Sequence, residues 1–144
     1  KGFRPEDFAA LHPGGKLGAQ LKQVRDVMHV GERLPVVGPT ASVAEAVAEI
    51  SAKGFGCVLV SEADGRLAGI VTDGDLRRQL QPNLMTLSVS DIMTRNPRTV
   101  PPDMLLARAL EIQETCKITA LIVEEDGRAL GIVHYLDLLR AGVA

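Results

Sequence analysis

The sequence predicts an α/β (α+β) fold made of two copies of one small unit. Each copy runs strand, helix, strand, strand, helix, and the two pack with pseudo-two-fold symmetry. Three observations predict it. First, the chain repeats itself: Asp26-Val27-Met28 matches Asp91-Ile92-Met93, and Val58-Leu59-Val60 matches Leu121-Ile122-Val123. Asp64-Gly65-Arg66 with Gly69-Ile70-Val71 likewise matches Asp126-Gly127-Arg128 with Gly131-Ile132-Val133, and Asp75-Leu76 matches Asp137-Leu138. Second, each Asp-Gly pair sits between two short β-rich runs, the strongest local signal of a hairpin. Third, a single copy is too small to bury an adequate core, since a domain of about 60 residues hides only about 60% of its unfolded surface.

The elements follow in chain order. Ser42 and Glu45 form a capping-box pattern, after which Val43, Ala46, Val47 and Ile50 share one helical face. Gly54 closes that helix. Strands are expected at 57–60 and 67–71, and a second helix starting near Asp73 that turns Leu76 and Leu80 inward. Pro82-Asn83 and Ser88 mark a linker over 82–88. In the second copy Asp103 is the expected cap of a helix carrying Leu106, Ala109 and Leu110. A hairpin over 119–124 and 129–133 and a last helix over 134–141 complete it. The units are thus set at 24–81 and 89–144, with 1–23 leading into them.

Composition excludes several functions. The 144 residues carry 16 Lys+Arg against 18 Asp+Glu, a formal charge of −2, so the strongly basic face of a nucleic-acid binder is absent. Aromatic residues are 3% and there is no Trp, which removes stacking platforms for bases. No apolar run approaches the roughly 18 residues of a membrane helix. Cys57 and Cys116 lie in apolar stretches without ligand spacing, so both are expected as small core residues and no metal site is expected. The chain opens at Lys1 rather than Met, and is read as the C-terminal part of a longer cytoplasmic protein.

The candidate site lies where the strand ending near Val71 feeds a helix, at Thr72, Asp73, Gly74 and Asp75. A helix N-terminus there offers N–H groups and a positive dipole end to an anion. Thr72 can donate to a phosphate oxygen, and Asp75 can accept both hydroxyls of a ribose. The same Thr-x-x-Asp spacing is also that of a capping box, and spacing alone leaves both readings open. Asp137 persists in the second copy although His134 stands at the Thr72 position. Arg77 and Arg78 read either as a solvated helix face or as a fork for phosphate or carboxylate. His29 and His134, set in what read as corresponding regions of the two copies, lack metal-ligand spacing and are candidate hydrogen-bond donors to an anionic ligand.

These marks resemble a tandem pair of CBS domains over about residues 24–142. The family's signature is a glycine, two apolar residues, Thr or Ser, two variable residues, then Asp. Gly69, Thr72 and Asp75 fit it, while the second copy keeps Gly131 and Asp137 but departs at His134. His12-Pro13-Gly14-Gly15-Lys16, Met28-His29, Thr72-Asp73-Gly74-Asp75-Leu76-Arg77-Arg78 and Leu138-Leu139-Arg140 further resemble the C-terminal part of bacterial D-arabinose 5-phosphate isomerases. That resemblance implies a sugar-isomerase domain preceding the chain and a regulatory role for the chain itself. It places His12 at the catalytic site of the absent domain, and implies no catalytic residue within the fragment. It further implies no cofactor but a nucleotide effector, with CMP-Kdo, the activated acidic sugar of lipopolysaccharide synthesis, as first choice and AMP or ATP as second. A homodimer of pairs, within a tetrameric full-length protein, is implied too. A ligand-free dimerisation module is the structural alternative.

Overall fold

A computed structural model describes residues 21–142; His12 and its Pro-Gly-Gly stretch lie outside the described residues. After 3-10 turns at Val24–Asp26 and Gly31–Arg33, the first copy contributes β1 (Val36–Val37), α1 (Val43–Lys53), β2 (Cys57–Ser61), β3 (Leu67–Thr72) and α2 (Asp73–Arg78). The second contributes α3 (Val89–Ile92), β4 (Thr94–Arg95), β5 (Thr99–Val100), α4 (Leu106–Cys116), β6 (Ala120–Glu125), β7 (Arg128–His134) and α5 (Tyr135–Arg140).

Local chemistry sets these elements. In α1 the Ser42 hydroxyl accepts from Glu45 N and Glu45 returns a bond to Ser42 N, while Gly54 closes the helix in the left-handed region at φ 82°. The two hairpins pair antiparallel, β2 with β3 and β6 with β7. β1 lies parallel to β2, and β5 parallel to β6. Val58, Val60 and Val71 turn to one side and pack under α1, whereas Cys57 and Ile70 turn to the other and meet Ile132 and Ala120 of the second copy. Both faces of each hairpin are therefore buried, and for that reason the strands read as near-continuous apolar runs rather than as alternating ones. The hairpins also touch through an Arg66–Arg128 bridge and a bond from Leu67 N to Gly127 O at 2.9 Å.

The opening segments are exchanged. Val24, Val27 and Met28 pack into the core of the second copy, beside Leu106, Leu121 and Leu138. Val89, Ile92 and Met93 pack into the core of the first, beside Val43 and Val58. β4, just after the second opening, completes the first sheet by pairing with β3. On the other side His29 bridges Ile132, with N–H···O bonds of 2.9 and 3.0 Å in the two directions. Repeat boundaries in sequence are thus not packing boundaries, and neither copy holds a complete core alone.

Three expectations need correction. Leu80 is 78% exposed, because α2 stops at Arg78 and Leu80 lies beyond its last turn. Asp103 caps nothing: α4 starts at Leu106 after an extended Leu105, with no side-chain cap bond. Cys116 is exposed, since the buried stripe of α4 ends at Gln113, one turn earlier. Cys57 is buried as expected, and its thiol is pushed up to about 12 by burial and then by the nearby Asp73 carboxylate. One thiol, not two, should therefore react with a disulfide reagent in the native protein near pH 8, the second appearing only in denaturant. Two fast equivalents from the folded chain would contradict this packing.

Candidate effector site

The strand-to-helix junction builds the first site around one carboxylate. Asp75 Oδ2 accepts from Thr72 N at 2.9 Å and from the Thr72 hydroxyl at 3.1 Å, and Asp75 N donates back to that hydroxyl at 3.1 Å. The capping-box reading of Thr-x-x-Asp is therefore correct in geometry. Asp75 Oδ1 accepts from Arg78 Nη2 at 2.6 Å and from the Thr94 hydroxyl at 3.0 Å. Burial pushes the Asp75 carboxyl up, but these donors, Thr72 N foremost, outweigh it and hold the group below the usual 3.8. Asp75 is only 5% exposed, so a buried carboxylate stands here fully partnered.

Around it opens a cleft of about 490 Å³ between the copies. Its apolar lining is Phe55, Cys57, Ile70, Ile118 and Ala120. Thr72, Asp73, Gly74, Asp75 and Arg78 line one wall, and Thr94, Pro97, Arg98, Lys117 and Thr119 come from the second copy. Arg98 and Lys117 make no ion pair among the described residues. Lys117, the left-handed C-cap of α4 at φ 56°, is among the residues that line the cleft. The helix end itself offers an anion less than the sequence promised. Asp73 N already donates to Gly56 O at 3.2 Å and Asp75 N to Thr72, so side-chain cations must supply the charge.

His29, His134 and Asp137 form the matching place on the other side of the pseudo-dyad. His134 caps α5, its Nδ1 accepting from Leu136 N at 3.1 Å, and its own N–H donates to Asp137 Oδ2 at 2.8 Å. His29 Nε2 lies 3.0 Å from both Asp137 oxygens. His29 and His134 are thus not equivalents of one another. His29 follows Met28 as Thr94 follows Met93, and His134 stands where Thr72 stands. Phe55 fills this second place: its ring is 5.0 Å from that of His29 and 6.5 Å from that of His134, with the Arg33 guanidinium 5.3 Å from the ring centre. Its counterpart in the second copy is Ile118, and both residues also line the first cleft.

The structure therefore brings Thr72, Asp73, Asp75 and Arg78 together, and groups His29, His134 and Asp137 apart from them. Arg77 is exposed and lines neither place. Thr94, Arg98, Lys117 and Phe55 were missed from sequence. The signal for Thr94 was present, since the repeat aligned Met28 with Met93 and so set His29 against Thr94. Among the described residues no cluster of His, Cys, Asp and Glu could hold a metal ion, and no helix is long and apolar enough to cross a membrane.

Two exchanged strand–helix–strand–strand–helix units, with a buried Thr–Asp pair at the strand-to-helix junction, define a class. The CBS-domain family profile matches residues 24–82 and 89–144, and the chain belongs to that family as a tandem pair. Over 99% of its length it is 47% identical to the arabinose 5-phosphate isomerase KdsD of Pseudomonas aeruginosa and 44% identical to that of Yersinia pestis. It spans 45% and 44% of those proteins, so it is similar to one part of them. Among solved structures, that of CBSX2 in complex with AMP superposes with a TM-score of 0.72 at 27% identity, covering 84% of this chain and 96% of that one.

Proposed function

We propose that this pair is the regulatory, non-catalytic part of an arabinose 5-phosphate isomerase, and that it senses a nucleotide-type effector, CMP-Kdo, in the cytoplasmic route to Kdo and lipopolysaccharide. One observation carries the reading: a cleft between the copies is lined by apolar side chains, a buried carboxylate suited to a ribose diol, and three cations, Arg78, Arg98 and Lys117. Arg78, Arg98 and Lys117 exceed what one monophosphate needs. They suit a ligand with two acid groups, as the phosphate and the sugar carboxylate of CMP-Kdo provide. The preference for cytidine comes from the similarity to the isomerases. Proton transfer on the sugar phosphate belongs to the preceding domain, with His12 as a contributor there.

The second reading, an adenine-nucleotide sensor, is favoured by the AMP complex of CBSX2. A thermal-shift titration with CMP-Kdo, CMP, AMP and ATP separates the two. A ligand at one hundred times its dissociation constant stabilises by about 2.7 kcal/mol, roughly 5–10 °C for a chain of this size. Stabilisation by CMP-Kdo above all others supports the first reading; a larger shift from AMP or ATP overturns it in favour of the second. No shift with any of them leaves a dimerisation module. For that module the exposed Leu80, Leu136 and Leu139, on and beside α2 and α5, are the apolar surface for a second copy.

Occupancy follows from the asymmetry of the two places. Phe55 is 5% exposed and lies against His29 and His134, and Asp137 is covered by His29. Calorimetric titration is expected to give one effector per chain, in the cleft at Asp75. A stoichiometry of two would show that Phe55 yields.

A further inference from the structure

We infer that Arg78 is a stand-in for the ligand, seated on Asp75 until a nucleotide displaces it, and that it thereby selects nucleotides over nucleosides. The inference rests on the reading of the cleft as a nucleotide site and adds the device that sets its specificity. The two oxygens of Asp75 have different occupants. Oδ2 is held by the Thr72 N–H and hydroxyl, both part of the cap that starts α2. A ligand gaining Oδ2 would have to unwind that helix. Oδ1 is held instead by the Arg78 guanidinium at 2.6 Å and by the Thr94 hydroxyl at 3.0 Å. It is the oxygen a ribose hydroxyl can reach, and reaching it means evicting one of these two.

Arg78 is the one that can leave. Its side chain is 65% exposed, it sits in the last turn of α2, and Asp75 is its only hydrogen-bonded or ion-paired partner among the described residues. The guanidinium also lies over Gly74, where an added Cβ would come within 3.1 Å of Arg78 Nη1. It therefore covers the backbone beside the diol position. Thr94 is anchored by comparison, because its own strand pairs with Ile70.

The consequence is an exchange. A ligand that brings hydroxyls alone breaks the Arg78–Asp75 pair and leaves the guanidinium without an anion. A ligand that brings hydroxyls and an acid group one sugar's length away gives Asp75 its donors and Arg78 a new partner. The second copy shows the contrast. There Asp137 is covered by His29, whose ring packs at a tilt against Phe55 and whose backbone bonds to Ile132, so the covering residue is built in.

The test compares CMP with cytidine and AMP with adenosine, by calorimetric titration of the whole chain at fixed ionic strength, in wild type, Arg78→Met and Arg78→Lys. Methionine keeps an unbranched stem without charge, and the exposed position makes loss of the fold no concern. In Arg78→Met the nucleotides should bind about ten-fold or more weakly, the size of a lost hydrogen bond to a charged group. The nucleosides should bind equally or about two- to five-fold more tightly, because a partly exposed ion pair no longer has to be broken. Arg78→Lys should recover part of the nucleotide affinity. A common loss for nucleotide and nucleoside would overturn the exchange while leaving the cleft as the nucleotide site. So would no change in either. If wild type binds none of the four, and CMP-Kdo neither, the cleft is not a nucleotide site and the exchange falls with it.

Discussion

Asp75→Ala is expected to remove effector binding while leaving a folded protein. In the proposed complex Asp75 Oδ1 is the charged acceptor for the ribose diol, a bond worth about 1.5–3 kcal/mol. Its loss reaches about a hundred-fold in affinity at the upper end of that range. At a ligand concentration that stabilises the wild type by about 2.7 kcal/mol, a variant binding a hundred-fold more weakly gains only about 0.4 kcal/mol. The shift in melting temperature should therefore almost vanish. The apo variant should itself melt lower, because Thr72 N, the Arg78 guanidinium and the Thr94 hydroxyl all lose their acceptor. Asp75→Asn separates the two effects, since it keeps the shape and one acceptor but loses the charge.

The pH dependence has a definite sign. The Asp75 carboxyl sits below its ordinary 3.8 in the folded chain, against the pull of burial and because of its donors. Its contribution to stability is thus in full force above the unfolded value and is lost as the pH falls through the lower folded one. Asp75→Asn should unfold with less dependence on pH across that acid window than the wild type. An unchanged acid profile, or full effector stabilisation of Asp75→Ala, would remove this carboxylate from the centre of the site.

What the sequence shows of this protein is what neighbours along the chain decide. The hairpins are legible because Asp64-Gly65 and Asp126-Gly127 fix their turns locally; Gly65, Asp126 and Gly127 all take positive φ there. Thr72 and Asp75 are legible because they meet across one helical turn. Arg98 and Lys117 are not, because they reach the cleft only when the two sheets close on one another through Ile70 and Ile132. The same holds for Phe55, an unremarkable apolar residue in sequence that lands between two histidines from elsewhere in the chain. The exchange of opening segments is hidden for a related reason. Two copies with similar cores accept either opening, and the pattern of apolar residues does not record which core each Met enters. Only Gly69 and Gly131 carry a trace of it.

Those two glycines give the second large effect. In the signature they precede the apolar pair of β3 and β7, and no positive φ explains either. Crowding does. A Cβ on Gly69 would stand 2.7 Å from Thr94 O and 2.9 Å from Met93 Sδ, and one on Gly131 would stand 2.7 Å from Met28 Sδ and 2.9 Å from His29 O. The methionines can swing aside, but the backbone oxygens belong to the exchanged segments and move only if those segments lift from the sheet. Gly69→Ala and Gly131→Ala should therefore each lower stability by about 1–3 kcal/mol, read as a fall in melting temperature of several degrees. Their effects on binding should differ. Gly69→Ala lifts β4 and with it the Thr94 hydroxyl on Asp75, so effector affinity should fall along with stability. Gly131→Ala lifts His29 from Asp137, in the place that Phe55 already fills, and should leave effector affinity unchanged. Equal losses of affinity in both variants would mean that the cleft reports the general integrity of the pair. A loss confined to Gly69→Ala would tie the exchanged strand to the site, so that a ligand settling on Asp75 acts on both copies through Thr94.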